Sequence, residues 1–135
     1  MADPVVIDAS AWLAVLLREE NADLVEAHLI HRHLLAPELI RYETANGILL
    51  AERRGRLTPK GLIQEELFKA ILSFPIQTVP LAVWWDRSVK LVQAHGLTFY
   101  DAAYVGVAKA LQLPLLTLDK KILNALKWEK LESVL

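Results

Sequence analysis

The stretch VVIDAS, residues 5–10, decides the fold class, because a short apolar run is followed at once by an acidic residue and a helical pattern. Similar runs recur between longer stretches of helical periodicity, and this alternation predicts an α/β domain. The first four runs are bounded by Pro, Asp or Gly and do not alternate cleanly with polar residues. We therefore expect parallel strands that helices cover on both faces. The runs are Val5–Ile7, Leu34–Ala36, Ile76–Val79, Leu115–Leu118 and, more weakly, Leu131–Leu135.

Helix boundaries are predicted from start and stop signals. Pro37 and Pro59 stand where a first helical turn tolerates proline, and Thr58 is placed to cap the second of these helices. Gly55 and Gly96 are predicted stops. The helical stretches are approximately Ala9–Glu19, Ala22–His33, Pro37–Arg54, Pro59–Leu72, Ala82–His95, Tyr100–Leu111 and Lys120–Leu126.

Length and composition limit the possible classes of protein. The chain has 135 residues, 54% of them hydrophobic and 23% charged, which predicts one globular domain over residues 1–135. The absence of cysteine excludes a disulfide scaffold, a thiolate metal site and a cysteine nucleophile. A formal net charge of −1 argues against holding nucleic acid by bulk positive charge, so any nucleic acid must be bound locally.

Neither a membrane span nor a basic leader is predicted. The apolar stretch Ala11–Leu17 is far shorter than the roughly 20 residues that span a bilayer, and Asp3 stands where a leader would carry a basic group. We therefore expect a cytoplasmic protein that has no membrane partner.

Two acidic residues are predicted to lie at one edge of the sheet. Asp8 ends the first apolar run and Asp119 ends the fourth. In open parallel sheets, ligands bind beyond the carboxyl ends of the strands, so both carboxylates are candidates for a site there. Taken singly, each is better explained as the N-cap of the helix that follows, since aspartate is a favoured capping residue. The pair is more informative than either member.

Asp101 is a third candidate for this edge. Its distance from Thr98 is that of a capping box, which is the structural alternative. The small side chains of the helix that it opens would let that helix lie close to the sheet, which brings the first turn to the same edge. These small residues are Ala102, Ala103, Gly106, Ala108 and Ala110.

Glu43 is the fourth candidate. It lies within a stripe of helical spacing whose two ends are apolar, which predicts a core-facing position. A carboxylate there needs either an opposing cation or a wet cleft beside it. Gly47 costs the helix about 1 kcal/mol relative to alanine, so we expect another element to approach closely there. The stripe consists of Leu39, Glu43, Asn46 and Leu50.

Four carboxylates at one edge favour a metal site. They would repel one another unless some retain protons or divalent cations lie among them. Hard oxygen ligands with no His or Cys nearby favour Mg²⁺ or Mn²⁺ over zinc. The sequence therefore predicts metal-assisted phosphoryl chemistry.

Four motifs carry a resemblance to a known family. They are VIDAS at 6–10, PEL at 37–39 leading to ETAN at 43–46, YDAAY at 100–104 and LTLD at 116–119. In this order and spacing, over nearly the whole chain, they resemble the motifs of PIN-domain ribonucleases, and most of all the VapC-type toxins of toxin–antitoxin pairs.

The resemblance implies a three-layer α/β/α sandwich with a central parallel sheet and one or two Mg²⁺ or Mn²⁺ ions. It implies cleavage of single-stranded RNA by an activated water, which leaves 5′-phosphate and 3′-hydroxyl ends. A homodimer and a small VapB-type antitoxin are implied partners. Asp8, Asp101 and Glu43 would bind metal, and Asp119 would bind it through water or orient the nucleophile. The full set is Asp8, Glu43, Asp101 and Asp119, with polar support from Ser10, Asn46 and Thr117.

A basic rim is predicted to hold the RNA. Without the four site acids the chain has 12 acidic residues and 15 basic ones, so the remaining surface is predicted to be mildly cationic. The arginines could instead satisfy the C-terminal dipole of their helix, and the lysines could simply be solvated. The candidates are Arg53, Arg54 and Arg56, with Lys120 and Lys121 beside Asp119.

Two other functions stay open. An RNA-processing nuclease without an antitoxin would differ only in its gene neighbourhood. A catalytically inactive PIN-like domain that binds RNA or protein would show gaps in the acidic set, and none is seen.

Several other residues are expected to have structural positions. One of Trp84 and Trp85 is predicted to lie in the core, and the other could mark an interface. The histidines lack an acidic partner at a zinc-ligand spacing, so they are expected to face solvent. They are His28, His31 and His33, while Tyr104, Val107 and Leu111 are predicted core residues.

Overall fold

A sheet of four parallel strands lies at the centre of the computed structural model, which describes residues 3–55 and 64–135. The strands are β1 (Asp3–Ile7), β2 (Arg32–Pro37), β3 (Ile76–Val79) and β4 (Leu115–Leu116). Their order is β3-β2-β1-β4, and each neighbouring pair is parallel. The chain thus places β2 and β3 on one side of β1 and β4 on the other, which makes the gap between β1 and β4 the topological switch point.

The described residues form seven helices on this sheet. They are α1 (Ala9–Leu16), α2 (Ala22–Leu29), α3 (Leu39–Arg53), α4 (Gln64–Ser73), α5 (Leu81–His95), α6 (Phe99–Leu111) and α7 (Lys120–Trp128). α1 contacts α2 and α3, and α3 contacts α4, whereas α6 contacts α5, α7 and strands β1, β2 and β4. The predicted three-layer α/β/α sandwich is confirmed. Among the described ranges, no helix combines the length and apolar character that a membrane span requires.

The fifth apolar run forms a bridge and not a strand of its own. Ser133 pairs in parallel with Leu115. The Leu115 amide donates to the Glu132 carbonyl at 3.0 Å, and the Val134 amide donates to the Leu115 carbonyl at 3.2 Å. The segment 132–134 therefore lies along the outer edge of β4.

Two predicted helix boundaries are wrong, because the residues expected at those helix ends belong to strand β2. The predicted helix Ala22–His33 ends at Leu29, and β2 begins at Arg32. Pro37 was expected to open a helix, but it ends β2, where it pairs with Val79. Proline has no backbone N–H to donate to a neighbouring strand, and at the end of a strand this removes at most one hydrogen bond from the sheet.

The stop and cap signals have mixed outcomes. Gly55 and Gly96 have positive φ angles of 69° and 66°, and Gly96 is the left-handed C-cap of α5. The first predicted helix ends earlier than expected, at Leu16. Thr58 and Pro59 lie outside the described residues, so the predicted start of that helix has no structural counterpart here.

α6 is buried along most of its length and lies very close to α5. Its residues Ala102–Ala108 are all buried. A Cβ added at Gly106 would lie 2.1 Å from the Ser88 hydroxyl oxygen and 3.2 Å from the Trp84 carbonyl oxygen. The Ser88 hydroxyl in turn donates to the Ala102 carbonyl at 2.8 Å. The small residues thus permit a helix contact that fixes the first turns of α6.

The buried face of α3 lies next to the predicted stripe, so the core-facing prediction is wrong. Glu43 is half-buried, and Asn46 and Leu50 are exposed. The expected close approach at Gly47 is confirmed, because an added Cβ would lie 2.4 Å from Cδ1 of Leu13 in α1. That contact sets the rotation of α3, which leaves the stripe beside the buried face of the helix. The buried residues are Ile40, Thr44, Ile48 and Ala51.

We expect Gly106→Ala to lower the free energy of unfolding by about 2 kcal/mol, because the new methyl group must displace Ser88 and the α5 backbone. Gly47→Ala is the matched control. Its methyl meets only the flexible end of Leu13, and alanine favours a helix by about 1 kcal/mol, so its effect should be small. Urea unfolding of both variants measures the difference. Equal destabilisation would contradict the assigned α5–α6 contact.

Candidate functional site

Asp8 is a buried carboxylate at the end of β1, with only 2% of its surface exposed. It caps α1 by accepting a hydrogen bond from the Ala11 amide at 3.0 Å. The Ser10 hydroxyl donates to Oδ1 at 2.7 Å, and the Thr117 hydroxyl donates to Oδ2. Burial raises the pKa of Asp8 to about 6, although these hydrogen bonds and that of the Ala11 amide oppose the shift.

The hydroxyls of Ser10 and Thr117 also connect Asp8 to the segment that follows β4. The Leu118 amide donates to the Ser10 hydroxyl oxygen at 3.0 Å. The Asp119 amide donates to the Thr117 hydroxyl oxygen at 3.0 Å. Each hydroxyl can therefore accept from one strand end while donating to Asp8, which fixes both acidic residues at the switch point of the sheet.

Glu43 is held by a tyrosine from another helix. The Tyr104 hydroxyl of α6 donates to Oε1 of Glu43 on α3 at 2.6 Å. Burial and the nearby charges of Asp101 and Asp119 raise the pKa of Glu43, and the Tyr104 hydrogen bond opposes that shift. Burial raises the pKa of the Tyr104 hydroxyl far above its ordinary value, so this hydroxyl is a permanent donor.

Asp101 and Asp119 lie in the first turns of two helices. Thr98 caps α6 by accepting a hydrogen bond from the Asp101 amide at 3.1 Å, so Thr98 and not Asp101 is the N-cap of that helix. Asp119 does cap its helix, because its Oδ1 accepts from the Lys121 amide at 2.8 Å. Burial, followed by the charge of Asp119, raises the pKa of Asp101, whereas a side-chain hydrogen bond with Thr98 and then the charge of Lys121 oppose that shift.

The structure brings the four predicted carboxylates within electrostatic reach of one another. Asp119 raises the pKa values of Asp8, Glu43 and Asp101, and Asp101 also raises that of Glu43. Within residues 3–55 and 64–135, no three His, Cys, Asp or Glu side chains already form a group that could hold a metal ion. Asp8 directs its oxygens to hydroxyl donors, and Glu43 directs one oxygen to Tyr104. Asn46 is exposed, one turn after Glu43 on α3.

The two basic groups differ in their distance from the carboxylates. Arg53 is in the last turn of α3 and Arg54 caps that helix, as the dipole alternative predicted. Ten residues of helix separate Arg53 from Glu43, which is about 15 Å. Lys120 and Lys121 are exposed at the start of α7, and Lys121 lies close enough to Asp101 to lower its pKa. Arg56 lies outside the described residues.

The residues expected to be structural behave mostly as predicted. Trp84 is buried and Trp85 is 43% exposed. His31 and His33 are exposed, whereas His28 is half-buried. Leu111 is 36% exposed, so its core prediction is wrong; it lies in the last turn of α6, after the buried stretch that ends at Ala108.

Tyr104 is the site residue that the sequence analysis missed. Its burial was predicted and is confirmed, as is that of Val107, but its hydroxyl contact with Glu43 was not foreseen. A signal was present, because Tyr104 follows Asp101 by one helical turn and so lies on the same face of α6. A core tyrosine one turn from a candidate acid is itself a candidate site residue, because its buried hydroxyl needs a hydrogen-bond partner.

Comparison with known proteins gives relatives that span most of the chain. Ribonuclease VapC3 of Pyrobaculum aerophilum is 33% identical over 123 residues, which cover 87% of this chain and 90% of that protein. Ribonuclease VapC9 of Mycobacterium tuberculosis is 31% identical over 122 residues, which cover 87% of each protein.

A solved structure described as a toxin–antitoxin complex from Klebsiella pneumoniae has a similar fold. The TM-score is 0.60 at 19% identity, with 87% of this chain and 88% of that chain covered. The PIN domain family itself matches residues 5–127, which contain all four carboxylates. A match of this extent, together with relatives above 30% identity over nearly their whole length, establishes that the chain belongs to the PIN domain family.

Proposed function

We propose that this protein is a divalent-metal-dependent endoribonuclease that cleaves single-stranded regions of RNA and acts as the toxin of a VapBC-type pair. One observation carries the proposal. Four carboxylates from four separate segments lie within electrostatic reach of one another, and three of them have raised pKa values. Kinship with ribonucleases named VapC supports the choice of substrate.

The residues at this edge fit Mg²⁺ or Mn²⁺. Their donors are carboxylate and hydroxyl oxygens, which hard divalent cations prefer. Mutual repulsion disfavours the ionised state of all four acids, and a divalent cation would relieve it better than retained protons do. We assign Asp8, Glu43 and Asp101 to direct metal binding, with Asp119 acting through water. A bound ion would supply charge neutralisation of the phosphate and a lowered pKa for the attacking water.

The remaining polar residues orient these acids. Ser10 and Thr117 hold the Asp8 carboxylate through hydrogen bonds and thereby fix its direction. Tyr104 does the same for Glu43. Asn46, exposed one turn after Glu43 on α3, would add polar support to this edge. Attack by water on the phosphodiester leaves a 5′-phosphate and a 3′-hydroxyl.

The toxin role implies further partners. Residues 1–135 would act as a single nuclease domain in the cytoplasm, as a homodimer, and a VapB-type antitoxin would block the acidic edge. The fold shared with a toxin–antitoxin complex is consistent with this arrangement. Exposed Lys120 and Lys121, which follow Asp119 in the chain, would hold RNA beside the acids, with a further contribution from Arg53 and Arg54 at the end of α3.

The decisive experiment incubates the purified protein, free of any partner, with total cellular RNA in Mg²⁺, in Mn²⁺ and in EDTA, followed by mapping of the cut ends. Discrete metal-dependent cuts with 5′-phosphate ends are expected. Cleavage that persists unchanged in EDTA would contradict the metal requirement, and an absence of cuts in every condition would contradict the nuclease.

We expect Asp8→Asn and Asp101→Asn each to reduce cleavage roughly a hundredfold or more, because each removes a charged metal ligand. Both should stay folded, since asparagine keeps the capping oxygen of Asp8 and relieves repulsion. Asp86→Asn, an exposed position on α5, is the matched control and should keep full activity. Circular dichroism reports the fold. Unfolding of both site variants would refute the assignment.

Tyr104→Phe keeps the buried ring but removes the donor to Glu43, so we expect about tenfold slower cleavage. Because that hydrogen bond opposes the raised pKa of Glu43, the acidic limb of the pH–rate profile should also move to higher pH. Tyr42→Phe is the control on α3, where an exposed hydroxyl contacts Glu38 at 3.3 Å. An unshifted profile in Tyr104→Phe would exclude a positioning role.

The raised pKa of Asp8 predicts a pH-dependent stability. The folded state retains the proton up to pH about 6, whereas the ordinary value is 3.8, so the free energy of unfolding should fall as pH rises through this window. The loss is at most about 3 kcal/mol. The asparagine of the Asp8→Asn variant cannot titrate. The free energy of unfolding of this variant, relative to that of the wild type, should therefore increase from pH 4 to pH 7.

Urea unfolding across this pH range checks the prediction, with Asp86→Asn expected to follow the wild type. At pH 7.5, Mg²⁺ at about 100 times its Kd should restore roughly 2.7 kcal/mol in the wild type and much less in Asp8→Asn. If the free energies of unfolding of the wild type and Asp8→Asn changed in parallel with pH, ionisation of Asp8 would not destabilise the folded state, and the prediction would be wrong.

A further inference from the structure

A cleft of about 650 Å³ lies beside the acidic edge, between the C-terminal end of α5 and the outer face of α7. Its volume is within the range of about 300–1,000 Å³ that small ligands occupy in proteins. We call it the α5–α7 cleft. The residues used below are His95, Gly96, Lys121, Asn124 and Trp128.

Lys121 joins the cleft to the four carboxylates. It lines the cleft, and its charge also acts on Asp101. Asp119 precedes it by two residues and caps the same helix. A ligand in the cleft would therefore lie directly beside the proposed cleavage site and could be continuous with the substrate there.

The wall formed by α7 offers three kinds of contact on one face. Lys121, Asn124 and Trp128 have the spacing i, i+3, i+7, so a cation, an amide and an indole follow one another along the helix. Trp128 is 78% exposed, although a side chain of this size is usually largely buried. A cation, an amide and an aromatic face are the groups that bind the phosphate, the edge and the face of an unpaired nucleotide.

The negative charge beside the cleft is neutralised. Glu129, next to Trp128, contacts Nε2 of His95 at 2.7 Å and the Lys109 ammonium. These hydrogen bonds, that of Lys109 first, lower the pKa of Glu129. The carboxylate is thus paired with α5 and α6, where it fixes the end of α7 and does not repel a phosphate. Among the described residues that line the cleft there is no carboxylate, and Lys121 offers a cation to an entering phosphate.

We propose that the α5–α7 cleft binds one nucleotide of a single-stranded RNA, with its base stacked on Trp128 and its phosphate at Lys121. The inference rests on the proposed nuclease and specifies how the chain is held next to the scissile bond. A base must be unstacked to enter, so the cleft selects single strands over duplexes.

The test uses a fluorescein-labelled single-stranded RNA octamer of random sequence, bound to the non-cleaving Asp8→Asn protein in Mg²⁺ and followed by fluorescence anisotropy. Adding Trp128→Ala should raise Kd about tenfold, and Trp128→Phe should restore most of the affinity, since any aromatic face stacks on a base. Trp85→Ala, the half-exposed tryptophan of α5, is the matched control and should leave Kd unchanged. Thermal melting verifies that each variant is folded.

Ultraviolet crosslinking with peptide mapping supplies a second readout that does not depend on activity. RNA adducts are expected on the peptide that contains Trp128, and an RNA duplex should compete poorly for them. Suppose that the wild type cleaves RNA, that Trp128→Ala leaves Kd unchanged and that no adduct maps to α7. Nucleotide binding in the α5–α7 cleft is then refuted, whereas the proposed nuclease activity is supported. If wild type neither cleaves RNA nor binds the octamer, both proposals are refuted.

Discussion

The Asp8 carboxylate lies buried between the ends of two strands, and only the donors around it make that position tolerable. A buried carboxylate without partners would cost several kcal/mol or retain its proton. Here the Ala11 amide, Ser10 and Thr117 supply the missing hydrogen bonds. Thr117 reaches Asp8 because β4 pairs in parallel with β1, with Ile7 opposite Leu116. The register of the sheet and the chemistry of the site are thus one constraint.

Repulsion among the carboxylates is organised around Asp119. This residue raises the pKa values of Asp8, Glu43 and Asp101, although the resemblance gave it no direct contact with the metal. As the N-cap of α7, Asp119 accepts hydrogen bonds from the amides of Lys121 and Ile122. An acidic residue that raises the pKa values of three neighbouring acids is an arrangement that favours uptake of a cation.

Local patterns predicted the parts of the fold and site that depend on neighbours in the chain. An apolar run followed by aspartate located the end of β1, and Thr98 marked the start of α6, whereas β4 ends at Leu116, two residues before the predicted Leu118. The rotation of α3 was not predictable, because two adjacent stripes have apolar ends and the choice depends on the contact between Gly47 and Leu13. The hydrogen bond from Tyr104 to Glu43 spans 61 residues, so no local pattern could reveal it.

The short strand β4 has a consequence for the behaviour of the protein in solution. It contains only Leu115 and Leu116, and its outer edge is occupied by the segment 132–134. An uncovered edge presents free amides and carbonyls that can pair with another molecule, which promotes aggregation and domain swapping. Segment 132–134 thus covers this edge of the sheet. A fusion or cleavage that detached the segment would promote aggregation before it affected the acidic residues.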